Sequence, residues 1–226
     1  NAAITESIVD DIVRKKSECV IVLVSNPVDV LTYIALKRTK WDRGRVLGSG
    51  TVLDSARLRY FLSQRCDIDV HNVHAYILGE HGDSEFAAWS MSNIAGMPID
   101  EYCPIYAKCD DWKAERHALV EKVRNSAYHI IDYKGATYFA IGLALVHIVE
   151  AILRNQRTVL TVSTLLTGEY GVDDVCLSVP AVVSRSGVER ILEGKLSLDR
   201  KPLIRSVKQV PVKHCQNRNS YNYSIN

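Results

Sequence analysis

Apolar residues follow two alternating rhythms along the chain, one suited to helices and one to buried strands. Ile4, Ile8, Ile12 and Val13 share one face at helical spacing, and the unbroken apolar run 20–24 reads as a strand enclosed in a parallel sheet. Val30, Leu31, Ile34 and Ala35 mark a second helix, and Val46-Leu47-Gly48 a short strand before a turn at Gly50. This succession predicts an α/β fold, in which residues 1–50 form the second half of a doubly wound Rossmann-type parallel sheet. From Leu53 the texture changes to a helix, a strand over 73–78, a charged helix over about 110–131 and a long apolar helix over 138–154. Segments rich in β-formers follow at 158–166, 175–179 and 181–184. Helices and strands segregated in this way predict an α+β substrate-binding domain over residues 51–200. Pro202 and Pro211 disfavour a continuing helix, and the polar stretch from His214 onward predicts a frayed, divergent tail over 201–226.

Composition narrows the function. With 226 residues and 47% apolar content the chain can bury a substantial core, and a net charge of +2 argues against nucleic acid or an acidic membrane surface as partner. Six cysteines lie scattered without CxxC spacing, so they read as reduced packing residues of a cytoplasmic protein, with no metal site and no disulfide framework. The apolar run 139–153 is interrupted by Gly142, His147 and Glu150, so neither a membrane span nor a signal peptide is expected. His71, His117, His129, His147 and His214 have no partner spacing that assigns them a role.

The chemistry concentrates in short motifs. Gly79-Glu80-His81-Gly82-Asp83-Ser84 follows an apolar run and places an imidazole between small neighbours, where it can exchange a proton with a substrate oxygen. A plain turn containing histidine is the competing reading. Asp54 and Arg57, three apart on the predicted helix, share a face, whereas Arg59 points away from it. Arg57 has the fork that matches a carboxylate, and Asp54 suits an acceptor for the His81 ring; an ordinary surface ion pair is the bland alternative. Asn26 ends a predicted parallel strand, where ligands collect in open α/β sheets, although Asn-Pro is also a common turn starter.

Four motifs in order, SNPVD (25–29), LDSARLR (53–59), GEHGDS (79–84) and KGAT (134–137), resemble the L-lactate dehydrogenases of the lactate/malate dehydrogenase superfamily over residues 1 to about 198. The resemblance implies reversible hydride transfer between L-lactate and pyruvate, in glycolysis or fermentation, with NAD as cofactor. It implies that His81 is the proton donor and acceptor, that Arg57 holds the substrate carboxylate, and that Asp54, Asn26 and Thr137 complete the substrate site. Ser7, Val24, Ser25, Asn26, Ser49 and Ile141 match positions that meet the cofactor. Arg59 and His74 match basic positions that bind fructose 1,6-bisphosphate in activated bacterial members, and a homo-oligomer, a tetramer by resemblance, is expected. No GxGxxG turn is present, so the resemblance also implies a fragment lacking the N-terminal nucleotide-binding half, nearly inactive by itself. Two alternatives stay open: a malate dehydrogenase of lactate-like sequence, and a truncated, non-catalytic partner of complete subunits.

Overall fold

The computed structural model describes residues 1–15, 18–134 (side chains to residue 126) and 138–196; Thr137 and the tail 201–226 lie outside the described residues. Helix α1 (Ala2–Arg14) leads into strand β1 (Ile21–Leu23), helix α2 (Val28–Thr39) and strand β2 (Val46–Gly48). β1 and β2 pair in parallel with Val22 opposite Leu47, as the apolar pattern predicts. Two details differ from that pattern. Ile4 and Ile8 are 64% and 55% exposed, and Thr5 and Val9 are the buried positions of α1. Spacing fixes which residues share a face but not which face turns inward. The first strand is only three residues long and half-buried, because it lies at the edge of its sheet among the described residues.

After Gly50 come α3 (Val52–Cys66), β3 (Val73–His74), β4 (Ile77–Leu78), β5 (Phe86–Ala87), β6 (Asn93–Ile94) and β7 (Met97–Pro98). They are followed by α4 (Ile99–Tyr106), α5 (Trp112–Lys134), α6 (Tyr138–Leu153), β8 (Thr158–Thr167), β9 (Asp173–Ser184) and β10 (Gly187–Ile191). The single strand expected over 73–78 is instead two strands in different sheets, β3 with β6 and β7, and β4 with β5. Conversely, the two segments expected at 175–179 and 181–184 are one strand, β9, which runs through Pro180. Pro180 is tolerated because it lies just past the last paired residues, Ile191 and Ala181: its carbonyl accepts the Leu192 N–H (2.8 Å), and the Leu192 carbonyl that its missing N–H would face accepts the Tyr170 hydroxyl instead (2.6 Å).

β8 and β9 pair antiparallel along their length, and β8 meets β2 where Ser163 lies opposite Gly48. A five-stranded mixed sheet in the order β1-β2-β8-β9-β10 therefore continues through the turn at Gly50. Leu47, Ile148 and Val162 pack in the cluster beneath α6, while Leu58, Leu62, Ile99 and Val123 join α3, α4 and α5. Full burial of each such side chain stabilises the fold by roughly 1.5–3 kcal/mol. Among the described residues, no helix is long and apolar enough to cross a membrane.

Candidate active site

Strand β4 delivers the histidine motif. Gly79, at φ 97°, exchanges two backbone hydrogen bonds with Ser178 of β9 (2.9 and 2.8 Å), which fixes the base of the loop that carries His81. Helix α3 is pinned to the same strand, since Thr51 Oγ1 donates to the Ile77 carbonyl (2.5 Å) and Ser55 Oγ accepts from the Ile77 N–H (2.9 Å). Gly50 makes this junction possible. Its φ is +52°, and a Cβ there would stand 2.6 to 2.7 Å from Ser163 N, Ser178 Oγ and Thr161 O.

This scaffold brings three of the sequence-predicted residues together. His81 Nδ1 lies 2.8 Å from Asp54 Oδ2, and Arg57 Nη1 donates to Asp54 Oδ1 at 3.1 Å. Asp54 and Arg57 are nearly enclosed, whereas 28% of the His81 side chain remains exposed and reachable by a ligand.

Two further acids press on the same imidazole. Asp29, in the first turn of α2, accepts the His81 backbone N–H (2.8 Å) through Oδ2 and the Ser163 hydroxyl (2.5 Å) through Oδ1. Burial pushes its carboxyl up to about 6, despite the two hydrogen bonds that favour the anion. Glu85 is 3% exposed; burial first, and then the charge of Asp54, raises its carboxyl to about 8. Burial works against protonation of His81 as well. The hydrogen bond and charge of Asp54, with the charges of Glu85 and Asp29, outweigh it and raise the imidazole to about 9. At neutral pH the site thus favours an imidazolium, with Glu85 protonated beside it.

The grip of Asp29 and the presence of Glu85 were missed by the sequence reading. An acid that opens an apolar run, as Glu85 does before Phe86-Ala87-Ala88, is the signal by which Glu85 could have been found. His81, Asp54 and Glu85 offer donor atoms within 4.8 Å of one another, a spacing that a cation can bridge. Asp54 is already shared by two cationic side chains and Glu85 is held neutral, so these groups suit a proton better than a metal ion.

The other expected residues fall in two places. Ser25 and Asn26 are exposed beyond the end of β1, Val24 is half-buried, and Ser49 is buried past the end of β2, its N–H donating to the Leu23 carbonyl (2.7 Å). These are the carboxyl ends of the two parallel strands. The Asn26 carbonyl accepts from Asn1 Nδ2 (2.7 Å), and the Asn26–Pro27 peptide is cis. Exposed amide, hydroxyl and backbone groups at this edge fit the polar nicotinamide end of a dinucleotide. Ile141 is half-buried near the start of α6, and Ser7 is exposed on α1. Arg59 does point away from Asp54. With His71, His74 and His147 it lines a separate cavity of about 430 Å³, and its Nη1 makes a long bond to the Ala75 carbonyl (3.4 Å).

Comparison with known proteins gives this geometry a context. Residues 1–48 match the NAD binding domain of lactate/malate dehydrogenase, and residues 51–214 match the alpha/beta C-terminal domain of the same family. The chain is 57% identical to an L-lactate dehydrogenase of Treponema denticola over 88% of its own length and 63% of that protein. It is 51% identical to an L-lactate dehydrogenase of Acetivibrio thermocellus over 85% of its length and 60% of that protein. It therefore spans somewhat less than two thirds of these curated relatives. Among solved structures, the minor L-lactate dehydrogenase of Enterococcus mundtii in its ligands-bound form superposes with a TM-score of 0.90 at 39% identity, covering 97% of this chain and 70% of that one. A lactate dehydrogenase from a Medee basin deep-sea metagenome library also gives 0.90, at 41% identity, covering 95% and 68%.

Proposed function

Because the chain belongs to the lactate/malate dehydrogenase family, we propose that it serves as an NAD-dependent L-lactate dehydrogenase, interconverting L-lactate and pyruvate in the cytoplasm. The observation that carries this reading is Asp54 held between His81 and Arg57. Arg57 offers a forked cation to the substrate carboxylate. Protonated His81 gives its proton to the carbonyl oxygen in reduction and takes it from the hydroxyl in oxidation, while Asp54 holds the ring and stabilises its charge. NAD, when bound, supplies or accepts the hydride at the carbonyl carbon. Asn26, and Thr137 by resemblance, complete the substrate contacts; Ser7, Val24, Ser25, Ser49 and Ile141 are assigned to the cofactor. Residues 1–50 and 51–200 are assigned to the cofactor and substrate parts respectively.

The same reading extends to regulation and assembly. Arg59 and His74 are assigned to one phosphate group of fructose 1,6-bisphosphate, and the cavity they share is also lined by His147 and by His71, which pairs with Asp69. The exposed row Phe139, Leu143, Val146 and Leu153 on α6 supports a homo-oligomer, a tetramer by resemblance.

The test is to express the chain with any coding sequence in frame ahead of it, and to assay NADH oxidation with pyruvate and with oxaloacetate. Pyruvate turnover that disappears in His81→Asn is expected. Preference for oxaloacetate would replace the proposal with a malate dehydrogenase, and no turnover of either with a binding role.

A further inference from the structure

Helix α3 ends at Cys66, and α4 carries Cys103 with its sulfur 3.5 Å from that of Cys66. Cys66 is half-buried, whereas Cys103 is fully enclosed in the cluster that holds Leu58, Leu62 and Ile99. The sulfurs of a disulfide stand about 2.0 Å apart, so closing this pair requires an approach of roughly 1.5 Å, a distance within reach of side-chain rotation. The two thiols are unlike. The Cys66 thiol is lowered, first by its hydrogen bond with Cys103 and then by the charge of Arg65, against burial and Glu115. That of Cys103 is pushed far up by the Cys66 contact and by burial. Arg65 is itself fixed beside them by a two-pronged pair with Glu115 (2.6 and 2.9 Å). A partly exposed thiol whose ionisation is favoured by its neighbours, backed by a buried one in contact at 3.5 Å, is the arrangement of an attacking and a resolving cysteine.

We propose that Cys66 and Cys103 form an oxidisable dithiol, a modification site that takes up one equivalent of a hydroperoxide. The Cys66 thiolate attacks the terminal peroxide oxygen and the O–O bond breaks. This leaves a sulfenic acid on Cys66 and, for hydrogen peroxide, releases one water once the leaving oxygen is protonated. Cys103 then attacks the Cys66 sulfur, the S–S bond forms, the S–O bond breaks, and the Cys103 proton leaves with the hydroxide as a second water. Two thiols lose two electrons and the peroxide gains them. The bond ties the far end of α3 to α4, twelve residues beyond Asp54, or about 18 Å along the helix. The proposal does not depend on the roles assigned to His81 and Arg57. Disulfides of this kind in a reducing compartment are transient and report on oxidants.

Peptide mapping tests it. The purified chain is treated with one equivalent of hydrogen peroxide, its remaining thiols are alkylated, and it is digested after Lys and Arg and after Glu. That combination puts Cys66, Cys103 and Cys109 in separate peptides. The expected result is a cross-link between the Cys66 and Cys103 peptides with two thiols lost per chain, reversed by dithiothreitol. In Cys66→Ser, a substitution at a half-exposed position, no thiol is lost over the same time. A Cys66 to Cys109 link, a sulfinic acid at Cys66, or full retention of thiols in the unsubstituted chain would overturn the proposal.

Discussion

The Nδ1 of His81 lies 2.8 Å from Oδ2 of Asp54, whose side chain is only 4% exposed. The pair therefore interacts with little solvent screening, and the ion-paired form is favoured over neutral partners. Replacement Asp54→Asn keeps the shape and removes the charge. The His81 pKa should fall from about 9 to near its ordinary 6.5 or below, because burial then goes largely unopposed. An NMR titration of the imidazole reads this directly, and an unchanged value would remove Asp54 as the cause.

Stability should decline as pH rises from about 5 to 9, above the range in which Glu169, lowered from 4.5 to about 2, acts with the opposite sign. His81 is raised from 6.5 to about 9, so its contribution is complete below pH 6.5 and is lost as pH climbs through 9. Asp29, raised from 3.8 to about 6, and Glu85, raised from 4.5 to about 8, act in the same direction over their own windows. Each proton held more tightly by the fold gives a slope of up to about 1.4 kcal/mol per pH unit. Glu85→Gln should flatten the decline between pH 4.5 and 8, as measured by urea unfolding across that range. A slope unaltered by the substitution would mean that Glu85 ionises normally.

Arg57→Lys retains the charge and loses the fork. If Arg57 grips the substrate carboxylate, KM for pyruvate should rise at least about tenfold, equivalent to ~1.4 kcal/mol, and the His81 pKa should change little. Steady-state kinetics of the active enzyme test it. Unaltered KM would take Arg57 out of the substrate site.

Arg59 is half-buried, and its partial desolvation disfavours the charged form, so an anion that pairs with it is favoured in the cavity it shares with His74. Fructose 1,6-bisphosphate should lower the apparent KM for pyruvate, and Arg59→Gln should abolish that response without altering the basal rate. Activation that persists in the variant would place the effector elsewhere.

Two glycines should behave oppositely. Gly50→Ala forces a Cβ into φ +52° and against three polar atoms at 2.6 to 2.7 Å, so a loss of more than about 2 kcal/mol is expected. Gly142, inside α6 with nothing within 4 Å of an added Cβ, should gain roughly 0.5–1 kcal/mol on replacement by Ala. Chemical denaturation of the two variants measures both.

Much of the fold was legible from periodicity and local chemistry. The helix of Asp54 and Arg57, the helix of Val30 and Leu31, and the strand at Val46 lie where apolar spacing puts them, because those patterns depend on contacts a few residues apart. Local pattern failed where a distant partner decided the outcome. The 73–78 run divides because β3 and β4 pair with different strands, and β9 passes through Pro180 because the distant Tyr170 hydroxyl supplies the donor that proline lacks. Ile4 and Ile8 face outward, whereas Val9 and Val13 of the same helix pack inward.

The site divides along the same line. That Asp54 and Arg57 share a helix face, and that a histidine stands between two glycines, follows from the order of residues alone, since helix geometry and short motifs are local properties. That Asp29, 52 residues earlier in the chain, holds the His81 backbone, and that Glu85 is buried beside the same ring, depends on how distant segments pack. A side chain's proton affinity is set by what surrounds it in space, and for His81 those surroundings come from α2, α3 and its own loop.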